Sequence, residues 1–377
     1  MRFLHSQGTN AFEGAKEGAV ISTCFTTNMG RVVDFCEAVV FQDEVWLLSS
    51  PHRWKRLLET MDKFIFPMDK TTVSSLSEQT AVFYLAGPQA AKALSLAGCD
   101  NTPARGHAME WEFEDQKVIV FGHERSTATA TKREGVPVVA NSDGVTEAEE
   151  GLVTEYSVLL PCAVSAKLWS ALSGLPAVVI AGEAEWQHLR IKNGLPFPGK
   201  ELTNDYNPLE AGLWHTVHFD KGCYIGQESI SRVNAYNAVK TVLYGISFEV
   251  GGQVHEGDAL VAEEDGARAG VVTSLLKPEE GVETQGLAYI RTQAGGVGLK
   301  VLTKDGGVRG TVIEVPYPTR SDAESAQPPV KKQEEAEAAA IYLEAEDEKA
   351  KEAARKAAKL EAMQKKLDAL KARRKTT

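Results

Sequence analysis

The rhythm of apolar and polar positions changes twice along this chain. Before residue 240, short runs of strand length, such as Val45–Leu48 and 118–121, interrupt stretches with helical spacing. Over 52–61, Trp54, Leu57, Leu58 and Met61 share one helical face. This irregular alternation predicts an α+β body rather than a doubly wound sheet. From 241 to 317 six strand-like runs follow at near-even spacing: 242–248, 259–262, 270–274, 286–290, 298–302 and 310–315. Turns such as Gly251-Gly252, Gly295-Gly296 and Asp305-Gly306-Gly307 divide them, which predicts a small all-β barrel or sandwich. A Pro/Ser/Ala stretch at 319–330 reads as a linker. Residues 331–377 are nearly all Ala, Glu, Lys, Arg and Leu, with acids at the front and bases at the back, and predict a charged helix. Its stripe of Leu360, Met363, Leu367 and Leu370 is too short for a coiled coil, leaving a solvated helix or a partner-binding tail.

Composition narrows the classes. The 377 residues carry a formal net charge of −11, which argues against a general nucleic-acid binder. No apolar run approaches the roughly 20 residues that cross a bilayer, so no membrane association is expected. Five cysteines, an odd number without C-x-x-C spacing, predict a reducing compartment and no resident metal site. The opening M-R-F-L-H-S-Q-G-T-N has neither an apolar signal core nor an Arg/Ser-rich transit segment.

Candidate chemistry concentrates in one window. It runs through Leu189-Arg190-Ile191-Lys192-Asn193-Gly194, then Asn207-Pro208-Leu209-Glu210-Ala211-Gly212-Leu213, then Lys221-Gly222-Cys223-Tyr224-Ile225-Gly226-Gln227-Glu228. In the last octet a thiol stands between a glycine and an aromatic, two residues from a lysine. Gly222 and Gly226 permit a tight turn or a close approach. A helix starting after Gly226 would favour an anion, including a thiolate, and Lys221 would bias Cys223 the same way. Equally, Cys223 could be a small buried hydrophobe in a strand-turn-helix corner. His215 and His218 lack a third metal ligand at suitable spacing. Trp186, Trp214 and Tyr236 offer flat faces for a ring, though such aromatics are more often core.

The octet K-G-C-Y-x-G-Q-E resembles the signature of the YgfZ family, folate-binding members of the GcvT-like superfamily that assist iron–sulfur proteins. The stretch from Phe3 to Asn10 is similar to the family's F-L-x-x-Q-x-T-N element. Thr27-Asn28-Met29-Gly30-Arg31-Val32 resembles its turn before a strand, and Gly270-Val271-Val272-Thr273-Ser274 its barrel strand. The resemblance covers about residues 3–318. It implies a ring of α/β subdomains with a C-terminal β-barrel around a folate-sized channel: two interleaved subdomains over 1–240, the barrel over 241–318. Relatives carry a further strand ahead of the F-L-x-x-Q element, so the first sheet is expected to be short of one.

What the resemblance implies for function is a tetrahydrofolate-binding accessory protein for assembly or repair of [4Fe–4S] clusters. Its partners would be iron–sulfur assembly factors and client enzymes. Cys223 would be the working thiol, partly exposed, with the other four cysteines buried and inert. Gly222, Tyr224 and Gly226 would shape its loop, and Gln227 and Glu228 would lock it by hydrogen bonds. Glu210 matches the second glutamate of the aminomethyltransferase window and suits the amino-imino edge of a pterin. Lys192 stands where that window has its first glutamate. Arg190 and Arg232 are candidates for the anionic glutamyl tail. The alternative is a folate-dependent aminomethyltransferase or demethylase. The run from Gly199 to Val217 resembles cyanobacterial and plastid members, which places the protein in a plastid stroma, with a mitochondrial matrix or bacterial cytoplasm as alternatives. Because the 331–377 stripe is too narrow to belong to a core, deleting it should shift the melting temperature by no more than a few degrees. Calorimetry of the truncated chain checks this.

Overall fold

The computed structural model describes residues 1–123, 155–276 and 282–315. These residues all fall in one compact unit, Met1–Ala323. The expected linker and charged helix lie outside the described residues.

The body holds two antiparallel sheets. Sheet 1 is formed by β1 (Val20–Thr26), β2 (Val32–Val40) and β3 (Val45–Leu48), in the order β1-β2-β3. The helices α1 (Arg2–Gln7) and α2 (Trp54–Phe64) cover one face, where Phe3, Leu4, Leu57 and Met61 meet Phe25 and Val33. The face predicted over 52–61 is thus the one α2 buries, with Leu57 and Met61 at its centre. Sheet 2 has the order β4-β7-β6-β5, from β4 (Thr80–Ala86), β5 (Ala108–Phe113), β6 (Gln116–Gly122) and β7 (Glu155–Pro161). Helices α3 (Ala90–Leu96) and α4 (Cys162–Ser173) pack on it through Leu94, Val164, Leu168 and Leu172. The two sheets meet through Val20, Val39, Phe41, Ile119, Phe121 and Leu159. Apolar burial on both faces explains why β7 ends on the apolar run Val158-Leu159-Leu160 rather than alternating to its end.

After α5 (Glu183–Lys192) and α6 (Gln227–Ala235), six strands close a barrel in the order β10-β11-β8-β13-β12-β9. They are β8 (Thr241–Phe248), β9 (Ala259–Ala262), β10 (Arg268–Leu275), β11 (Thr284–Arg291), β12 (Lys300–Thr303) and β13 (Arg309–Ile313). Each matches one of the six strand-like runs. Alternate residues such as Ile246, Phe248, Leu260, Val272, Ile290 and Val301 fill the interior.

A buried ion pair joins body and barrel. Arg190 of α5 and Glu201 have side chains 1% and 0% exposed, with Nη1 and Oε2 3.3 Å apart. Ser274 of β10 completes the node, accepting from Arg190 Nη2 at 2.8 Å and donating to Glu201 Oε1 at 2.6 Å. Tyr289 of β11 donates to the Glu201 carbonyl at 2.9 Å. Removing one partner strands the other charge in a dry site, which typically costs about 3–5 kcal/mol. Arg190→Ala should lower unfolding stability by that amount, read from urea midpoints at constant slope.

Candidate functional site

Three segments that are distant in sequence converge around the octet. Lys221 lies against the turn that follows α1, and its ammonium donates to the carbonyls of His5 (2.6 Å), Gly8 (2.5 Å) and Asn10 (2.7 Å). Burial pushes this group down to about 8, while three carbonyl acceptors favour its charged form, so it remains an ammonium at neutral pH. The same turn is tied down twice more. Thr9 donates through Oγ1 to the Thr216 carbonyl, and Asn10 donates through Nδ2 to the carbonyls of Ser22 and His215.

The β1–β2 turn forms the second support. Gly226 caps α6 in a left-handed conformation, φ +86°. A Cβ on it would stand 2.5 Å from the Thr27 carbonyl oxygen and 2.9 Å from Gly30 Cα. A Cβ on Gly30, at φ +70°, would stand 3.0 Å from Ile230 Cγ1 and 3.2 Å from Ser229 Cβ of α6. Both glycines are therefore demanded twice, by conformation and by contact. Thr26 Oγ1 donates to the Ile225 carbonyl at 2.6 Å, closing the joint. Gly222 faces no such demand. It has no positive φ, and its missing Cβ would make ordinary contact with His5 Nε2 at 3.5 Å.

Cys223 is exposed at the crest of this loop. Lys221 makes its hydrogen bonds to three backbone carbonyls and so fixes the loop. Tyr224 turns inward, among Leu209, Val217 and Ile230, with the Lys221 ammonium 4.8 Å from its ring centroid. Its hydroxyl has no hydrogen-bond partner among the described residues, and burial pushes it up to about 12. Tyr224 is thus a core residue. Gln227 Oε1 accepts the Tyr224 N–H at 3.3 Å, while the exposed Glu228 makes no side-chain hydrogen bond among the described residues and sits in the first turn of α6. Cys24, Cys36 and Cys99 are buried, but Cys162 is exposed at the start of α4, against the expectation that only Cys223 would be.

Glu210 lies on the loop 207–213, its side chain 8% exposed. Oε2 accepts the Asn207 N–H at 3.0 Å and an Arg31 N–H at 3.3 Å, and Oε1 accepts from Thr241 at 3.2 Å. Arg31 itself is 39% exposed and also donates to the Asp205 carbonyl. A planar N–H donor thus reaches this carboxylate from the solvent side. Beside it, Tyr206 stacks on Tyr289 at 3.5 Å, and the Tyr206 hydroxyl is pushed up chiefly by burial. Arg190, expected to meet an anionic tail, is fully enclosed in the node with Glu201 and Ser274, so the structure corrects that role. Arg232 is exposed on α6 with no side-chain partner among the described residues. Lys192 is exposed and bonds Gln285 of β11.

A further constellation was missed in the sequence. His123 bridges the two sheets, its Nδ1 2.8 Å from Glu37 of β2 and its Nε2 2.9 Å from Ser157 of β7. Asp34, also on β2, is fully buried; it accepts from the Ser50 N–H and hydroxyl, and desolvation holds its carboxyl above the ordinary value. Two acids inside the apolar run V-V-D-F-C-E-A-V-V were the available signal.

Comparison with known proteins sets this geometry in context. No protein-family profile matches the chain. A chloroplastic protein of Arabidopsis thaliana, provisionally named a transferase, is 30% identical over 326 residues, covering 86% of this chain and 68% of that protein. The chain belongs to the GcvT-like aminomethyltransferase superfamily. An aminomethyltransferase of Herpetosiphon aurantiacus is 34% identical over 167 residues, which span 43% of this chain and less than half, 45%, of that enzyme. The crystal structure of the glycine cleavage system aminomethyltransferase T from Bartonella henselae shares the GcvT-like fold, with a TM-score of 0.67 at 18% identity. It covers 84% of this chain and 80% of its own.

The supports around Cys223 make a prediction within this GcvT-like framework. Lys221→Met keeps the stem but leaves three carbonyls without a charged donor. One such bond is worth about 1.5–3 kcal/mol. The variant should lose at least that much stability in urea unfolding, with the loss localised by hydrogen exchange to α1 and residues 8–10.

Proposed function

We propose that this protein is a YgfZ-type accessory factor. It binds a reduced folate and supports assembly or repair of [4Fe–4S] clusters in client enzymes, with Cys223 as its working thiol. The observation that carries this reading is the mount of Cys223: a solvent-facing thiol on a loop pinned by Lys221, Gln227 and the Gly226–Gly30 contact. A thiol held in one place and open to solvent suits presentation to another protein. A single cysteine cannot hold a cluster, so the remaining ligands come from the client or an assembly factor.

The folate part rests on Glu210. Its carboxylate already accepts a planar N–H donor from Arg31, the kind of donor a pterin edge presents. In this reading the pterin takes the place of the half-exposed guanidinium, Asn207 and Thr241 hold the carboxylate in position, and bound tetrahydrofolate supplies a one-carbon carrier. The chloroplastic relative supports a plastid location, and the stroma fits a chain in which no described helix is long and apolar enough to cross a membrane.

A second reading, a folate-dependent aminomethyltransferase, is favoured by the matched aminomethyltransferases and the retained Asn207–Leu213 loop. Methylene transfer from an aminomethyl donor to tetrahydrofolate separates the two. Turnover that disappears in Glu210→Ala would establish the transferase and remove the accessory reading.

Two variants test the leading proposal. Glu210→Ala should weaken reduced-folate binding by roughly ten- to a hundredfold, the scale of one charge-assisted bond. Arg31→Ala, which removes the competitor, should not weaken it. Cys223→Ser should leave melting temperature and folate affinity unchanged while cluster-dependent client activity falls. Full client activity in that variant would sink the thiol mechanism.

A further inference from the structure

With Arg190 enclosed, the anionic end of a folate needs other cations, and the barrel carries two. Arg268 opens β10 and Arg291 ends β11, and both are exposed. Gly270 pairs with Ile290, so both arginines lie just past that rung, at one end of the ladder. Like charges set side by side on a sheet repel. Arg309, on the same barrel, is relieved by pairing with Glu249 and Glu263. Arg268 and Arg291 make no side-chain hydrogen bond or ion pair among the described residues.

Together with Lys300 they line one cleft of about 740 Å³. Its acids, Glu263, Glu264 and Asp265, are consecutive at the turn between β9 and β10. Glu263 is held by Arg309, and Asp265 accepts the Ala267 N–H. Glu264 alone is uncommitted among the described residues, beside three cations.

The sheet links this cleft to Glu210. Thr241 of β8, which donates to Glu210 Oε1, pairs with Arg291 across the β8–β11 ladder. Directly opposed residues project to one face, with Cβ atoms about 5 Å apart. Here it is the outer face of the barrel, because the pair Leu243 and Tyr289 on the same face packs with Ile191 of α5. Tyr206 stands on this face too, half-buried and stacked on Tyr289. Its hydroxyl is pushed up chiefly by burial; among charges, Asp205 and Glu210 raise it and Arg268 lowers it, so it lies within reach of both sides. Arg31 spans Glu210 and the Asp205 carbonyl, and a pterin in its place lies beside the Tyr206 ring.

The order along the surface is therefore carboxylate, aromatic ring, arginine pair. A folate has the complementary order: the N–H edge of its pterin, an aminobenzoyl ring, and the carboxylates of its glutamate. Free phosphate would meet the arginines and leave the ring and Glu210 unused.

We propose that Arg268 and Arg291 receive the glutamate carboxylates of the bound folate, so that its tail as well as its pterin sets affinity. This rests on the folate reading of Glu210 and deepens it by naming the residues that recognise the other end of the ligand.

The test measures, by calorimetry on the full 377-residue protein, the Kd of tetrahydrofolate and of tetrahydropteroate, which lacks the glutamate. Tetrahydrofolate should bind roughly tenfold more tightly, the scale of two partly screened ion pairs. The advantage should fall below about twofold at about 1 M salt, where charges are screened beyond roughly 3 Å. It should vanish in the double variant Arg268→Gln, Arg291→Gln, which keeps the native affinity for tetrahydropteroate. Arg232→Gln, at the exposed arginine of α6, should retain it. Equal native affinity for the two ligands would overturn the proposal and leave the pterin reading standing. So would an advantage that survives the double variant or disappears in Arg232→Gln. Failure of both ligands to bind would remove the folate reading and this one with it. If the double variant fails to fold, the single variants decide the assignment, each losing a roughly threefold share of the advantage.

Discussion

The candidate site depends on where one ammonium group goes. Lys221 places its charge among three carbonyls of the segment that ends α1, and that choice fixes much else. A buried cation needs acceptors, and backbone carbonyls at the end of a short helix are unsatisfied from within it. Meeting both needs at one point pins the loop 221–226 to residues 5–10. The Thr9 and Asn10 bonds carry the same turn onto β1 and the 215–216 turn. With that side fixed, the other side of the loop can rest on the β1–β2 turn only if both surfaces lack a Cβ, which is the condition Gly226 and Gly30 meet. The exposed position of Cys223 follows from these supports, because the residues around it are used up in holding the loop.

Arg190 follows the same physics with a different outcome. Its guanidinium is held by Glu201, Ser274 and Gln187 and lies over the Phe197 ring at 5.1 Å. A cation so engaged serves cohesion between α5 and the barrel and is not available to an anionic ligand. Arg31 is the contrast: half-exposed, paired to Glu210 at 3.3 Å and to one carbonyl, it can leave its carboxylate at small cost. The distinction between a structural and an exchangeable arginine here lies in burial, which residue type alone does not encode.

This explains what could be read from the chain. The six barrel strands and the buried face of α2 were legible because periodicity is a local signal, set by which neighbours share a face. The demands on Gly226 were half legible: a turn before a helix could be expected, but the contact with Thr27 and Gly30 spans almost two hundred positions. The acceptors of Lys221 were not legible, because they are main-chain oxygens, and carbonyls carry no residue-type signature. Cys162 was placed in the core by default, yet it begins α4 directly after the interior strand β7 and is exposed there. Glu37 and Ser157 lie on strands of different sheets and His123 just past the end of β6, so no spacing rule connects them.

Two exposed thiols remain, and their settings differ in what each can do for a partner. Cys162 is the first residue of α4, and its thiol lies 3.9 Å from the Glu78 carbonyl, a contact too long to hold a rotamer. Cys223 stands between two residues that are themselves immobilised, Lys221 by three bonds and Tyr224 by burial under that same ammonium. A group meant to complete a ligand set with another protein gains when its backbone is already ordered, because less conformational freedom is lost on docking. Cys162 also has an ordered backbone, at the start of α4 with its N–H on the Gln79 carbonyl, so what sets Cys223 apart is the side-chain bonding that holds its loop. The same reasoning places the functional demand on the loop's supports as much as on the sulfur. Slackening Lys221 or crowding Gly226 would leave the thiol exposed and chemically unchanged, yet no longer in a fixed position for a partner to meet.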